Sequence, residues 1–500
     1  MGMKLASAGG DLAVFKRLAS FCLAFLTLAD SAGAAEPVAH RLDLAAGYRS
    51  GDYEFIGRAV GDRPVVALGE SIHLTREFPL ARLNLVRFLH EQRGIEVLAF
   101  EGSLVDAWTA QEHAYRSIGS PDERARRFAR EALFGLWQTD EMVKLVAYAL
   151  GTQRGPRPLY IASFDVQPGT SRAYGGSSRR SIEAFLATLT EADPQLQEAQ
   201  VRSWAQSLGP ALDCDATPGQ DAVVGEVEQW IATRADEIFG TARPAPHLQT
   251  LRLVPLMIRS RLRLCDEWNA AERDRDLYQR RRDVLSAELV LSLRRSMPRM
   301  FLWAHHSHLH HNSLGRAVPS LGQHLKAALG DDLYTIGVFA AGGRAIDSTR
   351  LDSAGMIGIV TELAGRPLPM DDRFGVERRL AAHSKGDFFV DLTGASGDWA
   401  RPDFSRLEVD GRMATALSRD FDAALLIRDV SGAELNFLPA PLRRAVRATA
   451  WVLQHPILAA LAFVLFLGAL AAGVRALWRR WSRRRTARAS APEEAPAGSR

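Results

Sequence analysis

Two short apolar runs, Pro64–Leu68 and Ile95–Phe100, bracket a stretch, Thr75–Gln92, in which Phe78, Ala81, Leu85, Phe88 and Leu89 recur at helical spacing. A strand, a crossover helix and a second strand in that order force the two strands to lie parallel in one sheet, since a tight hairpin is unavailable to them. Further runs at Leu159–Phe164, Met300–Ala304, Leu333–Phe339, Phe388–Leu392 and Ala423–Ile427 are apolar at successive positions. Strands of that kind are buried on both faces, as in a sheet covered by helices. Between about 171 and 295 the pattern is helical, rich in Arg and Glu, and interrupted at Asp193-Pro194, Gly209-Pro210 and residues 244–246. The expected fold is α/β: a central, largely parallel sheet flanked by helices, with residues 171–295 as a helical cap insertion able to roof a pocket.

Open parallel sheets bind ligands beyond the carboxyl ends of their strands, so the residues that follow each strand are the informative ones. After Pro64–Leu68 come Gly69, Glu70 and His73. After Ile95–Phe100 comes Glu101, after Leu159–Phe164 comes Asp165, and after Met300–Ala304 come His305, His306 and His308. Gathering several carboxylates and imidazoles at one edge is costly unless they are paired or used. Glu70 and His73 share one tight loop, close enough for the carboxylate to orient the imidazole, and a neutral imidazole is the usual base for activating water near neutral pH. Glu77 stands nearby, either in the site or at a helix N-terminus. The segment His305–His311 holds five of the thirteen histidines. Strand periodicity would place His306, His308 and His310 on one face, where three imidazoles can hold zinc. No H-E-x-x-H zinc motif, G-x-S-x-G nucleophile elbow or G-x-x-x-x-G-K-[ST] phosphate loop is present, which disfavours an acyl-serine or nucleotide chemistry.

The two ends carry different signals. Lys4 and Lys16 precede the apolar run 21–29, and Ala32-Gly33-Ala34 then Ala35 precede Glu36-Pro37; residues 1–35 thus have the pattern of a secretory signal peptide. Ile457 to Val474 contains no charged residue and is followed by Trp478, Arg479, Arg480 and Trp481. That predicts one C-terminal transmembrane helix within residues 441–478 and a basic cytoplasmic tail over 479–500. The domain over 36–440 would then be periplasmic, with the inner membrane as a partner. Residues 475–500 hold eight Arg and two Glu, so the remaining 474 residues sum to +4 − 6 = −2, and a nucleic-acid partner is not expected. Cys22 leaves with the signal peptide, which leaves Cys214 and Cys265 to pair in an oxidising compartment or remain as buried thiols.

The run Val66-Ala67-Leu68-Gly69-Glu70-Ser71-Ile72-His73-Leu74-Thr75-Arg76-Glu77 resembles the leading motif of the erythromycin esterase family. Three later blocks agree in order: Leu98-Ala99-Phe100-Glu101, Gly135-Leu136-Trp137-Gln138-Thr139-Asp140-Glu141, and Leu302-Trp303-Ala304-His305-His306-Ser307-His308. Arg282-Asp283 resembles the Arg-Asp helix that precedes the histidine strand in that family. The chain departs from the motif at Ile72, at Leu74, where the family carries Gly, and at His306, where it carries Asn. The resemblance covers about residues 50–430. It implies an α/β core with a deep cleft and hydrolysis of a small-molecule ester or lactone, without metal or other cofactor, through a histidine that activates water. On that reading His73 is the base, Glu70 and Glu101 orient it or the water, and His305 and His308 polarise the substrate or donate protons. Glu77, Trp137, Glu141, Asp165 and Arg282 would line the substrate cleft. Two rivals stay open: a metal-dependent hydrolase built on Glu70, His73, Glu101, His305 and His308, and a non-catalytic protein that binds haem or a polysaccharide fragment.

Overall fold

A computed structural model describes residues 36–475 apart from 216, 272–273, 313–318, 352–361, 437, 456, 459, 468 and 473. The expected signal peptide and basic tail lie outside the described residues. The chain forms two compact units: residues 36–348 with 366–437, and residues 349–365 with those from 438 onward.

In the first unit the described residues form a nine-stranded sheet. Its strands are β1 (Ala39–Arg41), β2 (Val65–Glu70), β3 (Val97–Ser103), β4 (Tyr160–Asp165), β5 (Met300–His305), β6 (Leu333–Ala345), β7 (Arg366–Pro367), β8 (Phe388–Asp391) and, after a separate hairpin of β9 (Asp403–Leu407) and β10 (Gly411–Thr415), β11 (Ala423–Val430). The order is β1-β8-β11-β6-β2-β5-β3-β4, with β7 on β6. The pairs from β11 through β4 are parallel, and β8 and β1 close one edge antiparallel. All seven strands expected from the sequence are present, several running one to six residues further than their apolar cores.

The alternation of side chains across a strand divides the core. Val66, Leu68, Leu98, Phe100, Phe301 and Trp303 point to one layer, with the helices Glu77–Arg93, Pro121–Ala132 and Asp140–Thr152. Val65, Ala67, Val97, Ala99, Met300 and Leu302 point to the other. That second layer is largely the helical insertion: the helices Ser178–Ala192, Glu198–Leu212, Gln220–Phe239, Ala245–Ala270 and Arg275–Ser296 pack Ile182, Trp204, Leu251, Met257 and Leu289 onto it. Of residues 171–295, the helices Ala245–Ala270 and Arg275–Ser296 thus meet the sheet at β4, and the other three pack on helices, including Leu104–Arg116 from outside the segment. The break foreseen at Gly209-Pro210 is absent, because Pro210 falls in the last turn of Glu198–Leu212. Pro244 and Pro246 do mark a boundary, flanking the start of Ala245–Ala270.

The membrane expectation is overturned. Among the described residues no helix is long and apolar enough to cross a membrane. The helix Ala440–Gln454 would reach only about 22 Å at 1.5 Å per residue, against a hydrocarbon thickness of about 30 Å. It also carries Arg443, Arg444 and Arg447. The single-pass anchor, the inner membrane as partner, and the periplasm-to-cytoplasm topology drawn from it are withdrawn.

Cys214 and Cys265 form a disulfide that joins the end of Glu198–Leu212 to the helix Ala245–Ala270 across 51 residues. A loop of that length restricts the unfolded chain by about 4 kcal/mol on the chain-entropy account. Non-reducing peptide mass spectrometry is expected to show the 214–265 link, and the double Cys→Ser variant to melt at a lower temperature. Freely alkylated thiols, or unchanged melting, would contradict this.

Candidate active site

The sheet register sets the site. Glu70 ends β2 and pairs directly with His305, the last residue of β5. On the far side of β5, β3 carries Glu101 just beyond the Phe100–Trp303 pair, within a register shift between Phe100 and Ser103; such irregularities re-aim a side chain at a strand end. Gly69 is required here because a Cβ would stand 2.9 Å from His306 Cα, where β5 turns into the short helix His306–Leu309.

Glu70 is buried and fully engaged. Its Oε1 lies 2.8 Å from His73 Nδ1 and accepts from Trp137 Nε1 at 2.7 Å, while Oε2 is paired with the guanidinium of Arg82. Arg82 is itself wholly buried, 3.5 Å over the ring of Trp303. Burial opposes the charge on Glu70, but Arg82, His73 and Trp137 outweigh it and hold the carboxyl at about 2. The carboxylate fixes the hydrogen of His73 on Nδ1, which leaves Nε2 on the opposite side of the ring.

That Nε2 faces a residue the sequence reading did not single out. Glu408, in the turn between β9 and β10, has a left-handed φ of 58°. Its N–H donates to Ser71 O at 2.9 Å, and its carboxylate accepts from the backbone N–H of His73 at 3.2 and 3.4 Å. Its Oε1 lies 3.5 Å from His73 Nε2 and 3.4 Å from His305 Nε2. Burial would lower the pKa of His73, yet Glu408, Glu70 and Glu101 together raise it to about 9. For His305 burial prevails over Glu408 and the pKa falls, helped by the neighbouring His73 and His308. The two imidazoles, with ring centroids 4.8 Å apart, are thus shifted in opposite directions, His73 upward and His305 downward.

A second group adjoins the first through Glu101. Its Oε2 accepts from the His305 backbone N–H at 3.0 Å, and its Oε1 accepts from Arg282 at 2.6 Å and lies 3.4 Å from His308 Nε2. Burial again opposes the charge, and His308, Arg282 and the His305 N–H hold Glu101 at about 2. Arg282 also grips Asp165 through Nε at 3.1 and 3.0 Å. His308 Nδ1 meets Asp283 at 2.6 Å; its pKa, which burial would depress, is raised by Asp283 and Glu101.

The structure thus brings together Glu70, His73, Glu101, Trp137, Asp165, Arg282, His305 and His308. It does not bring in Glu77 and Glu141. Glu77 accepts from Ser431 N and Oγ, both at 2.7 Å, and Glu141 accepts from Glu434 N at 3.4 Å and lies 3.8 Å from Arg76. These two hold residues 431–434 against the 74–77 loop, where Ala433 N also donates to Leu74 O. The expected face of His306, His308 and His310 is absent as well. β5 ends at His305, the chain turns helical, and His310 Nδ1 meets the carbonyl of Asn312 while His308 meets Asp283. Leu74 adopts φ 53°, the conformation that glycine adopts freely, which accounts for Gly at the matching position of the resembling motif.

Fold and site together are those of an α/β protein that gathers histidines and carboxylates at the carboxyl edge of a parallel sheet. The chain belongs to the erythromycin esterase family, whose model matches residues 90–430. A Bacillus subtilis (strain 168) protein named as hydrolase YbfO is 22% identical over 365 residues, 66% of this chain and 78% of its own. Erythromycin esterase type II of Escherichia coli is 39% identical over 73 residues, 14% of this chain and 17% of its own. The solved structure of an erythromycin esterase mutant in its open conformation has a TM-score of 0.53 at 16% identity, covering 81% of this chain and 100% of that one. The structural likeness shows the fold; the family and the hydrolase-named relative support a hydrolase.

Glu408→Gln is expected to lower the pKa of His73, because the charge of that carboxylate, together with Glu70 and Glu101, raises it. Imidazole NMR should place the wild-type His73 midpoint near 9 and the variant's clearly lower. Equal midpoints would remove Glu408 from the electrostatics of the site.

Proposed function

We propose that the protein hydrolyses a carboxylic ester or lactone of a small molecule, using water activated by His73. The observation that carries this is the chain of contacts from Arg82 through Glu70 to His73 Nδ1, which leaves Nε2 on the side of the partly exposed Glu408. Carboxylate, imidazole and water in that order are the water-activating version of a catalytic triad. Access supports it: the side chains of His73 and Glu408 are 13% and 16% exposed, against 3% for Glu70.

In the reaction, His73 Nε2 takes a proton from water as its oxygen attacks the acyl carbon. The tetrahedral intermediate then expels the alkoxide, which receives that proton from His73, giving one acid and one alcohol. His308, whose pKa Asp283 and Glu101 raise against burial, supplies positive charge for the developing oxyanion when protonated. Arg282 and Asp165 fix Glu101, and Trp137 forms part of the wall beside His73, with ring centroids 5.5 Å apart. The Cys214–Cys265 disulfide supports action in the bacterial envelope, outside the reducing cytosol.

His73→Ala is expected to reduce kcat by about a hundred- to ten-thousand-fold in a screen of lactones, simple esters and acylated glycans. A variant that keeps more than about a tenth of wild-type turnover lies below the general-base range and would sink the assignment. The pH profile gives an independent check. The base works only after losing its proton, so kcat/KM should rise with pH to a midpoint near 9, and Glu408→Gln should move that limb to lower pH. A rate that falls through the same range would make His73 an acid rather than a base.

A further inference from the structure

Glu408 stands at unequal distances from the backbone and from the imidazoles it faces. Nε2 of His73 and Nε2 of His305 lie 3.5 and 3.4 Å from one oxygen of Glu408. That is too far for the charge-assisted hydrogen bond of about 2.7–2.9 Å that such groups make in direct contact. The opposite nitrogens of the same rings are close to their partners, His73 Nδ1 at 2.8 Å from Glu70 and His305 Nδ1 at 2.7 Å from Ser307 Oγ. The rings are therefore anchored from behind, while their front nitrogens converge on the carboxylate without a close contact to it; His305 Nε2 also lies 3.3 Å from the carbonyl oxygen of Ser71, a contact that an ion would replace. The three donor atoms lie within 4.8 Å of one another. For a cation with bonds of about 2.0–2.2 Å, tetrahedral ligands stand about 3.3–3.6 Å apart.

We propose that His73 Nε2, His305 Nε2 and the Glu408 carboxylate bind one divalent transition-metal ion, zinc being the reference case, with a fourth position open to the cleft. Two imidazoles and one carboxylate are the donor set of zinc hydrolase sites and of related first-row metals. Magnesium and calcium prefer oxygen alone and are excluded. The other acids of the cleft act as supports. Glu70 is taken up by Arg82, Trp137 and His73, and Glu101 by Arg282 and the His305 N–H. The link from Glu70 to His73 Nδ1 is the carboxylate–histidine arrangement that orients metal ligands from the second layer. Ser307 holds the His305 ring from behind, with its Oγ 2.7 Å and its backbone N 3.3 Å from Nδ1. Glu408 supplies the negative charge and the third vertex from outside the sheet.

This assignment rests on the hydrolytic reading only in sharing its cleft. An ion on His73 Nε2 uses the lone pair that would accept the proton of water, so the ion-loaded chain and the chain with His73 as base are alternative states. Divalent transition metals would accordingly regulate the proposed reaction through the base itself.

The test uses the untagged full chain stripped with a chelator and titrated with Co(II), followed by visible absorption, and with Zn(II), followed by calorimetry. One ion per chain with ligand-field bands is expected, and no heat with Mg(II). Glu408→Gln should weaken binding by at least about a hundredfold, beyond what losing a mere supporting partner usually costs, whereas His308→Asn should keep the stoichiometry. In the wild-type chain the imidazole NMR signals of His73 and His305 should move together as zinc is added, which needs no variant to fold. Absence of stoichiometric binding, undiminished binding in Glu408→Gln, or unmoved signals would overturn the site. Hydrolysis by the stripped protein is read separately: no turnover with intact ion binding removes the hydrolase and leaves this site, and the reverse result removes this site alone.

Discussion

The buried ion pair between Glu70 and Arg82 is the interaction on which the site depends. Arg82 lies wholly inside the helix layer, stacked over Trp303, and Glu70 sits at the end of the central strand β2. Breaking a buried pair by removing one partner typically costs about 3–5 kcal/mol, because the survivor keeps its charge without compensation. Replacement of the whole pair by apolar groups would be cheaper, so its presence is explained less by stability than by what Glu70 does next. With one oxygen committed to Arg82, the other meets His73 and Trp137 at fixed distances. The imidazole is thereby given one tautomer and one direction.

Three glutamates at the strand edge then have separable jobs. Glu70 orients an imidazole from behind, Glu101 ties the His305 backbone to Arg282 and His308, and Glu408 places charge in front of two imidazoles at once. Their surroundings differ in kind. Arg82 compensates the first and Arg282 the second, each a permanent cation, whereas Glu408 depends on His73 and His305, whose charge varies. The variable part of the electrostatics is thus confined to the side that opens to the cleft.

Most of this architecture was legible in the sequence, for a physical reason: strands buried on both faces must be continuously apolar, and their ends must leave the core. That placed all the parallel strands and the acids and imidazoles that follow four of them. What escaped were groups without such a signal. Arg82 lies among the apolar positions of its own helix, where a lone Arg between Phe78 and Leu85 was a clue to a buried pair. Glu408 sits in a hairpin far along the chain, and only Asp410-Gly411 marked a turn there. Glu77 and Glu141 were misplaced because acids near the first turn of a helix suit both a cleft and a structural clamp. The supposed span failed on a different ground: among the described residues no helix is long and apolar enough to cross a membrane.

The sheet register couples the site to the fold in an uneven way. Glu70 and His305 are ladder neighbours at the centre of the sheet, so separating them means breaking the strand pairing that both core layers cover. Glu408 comes from a two-stranded hairpin outside that sheet. Local opening follows such boundaries. The cleft therefore has a slow half and a fast half: amide exchange around β2 and β5 belongs with global unfolding, while the hairpin can detach and return many times within the lifetime of the folded core.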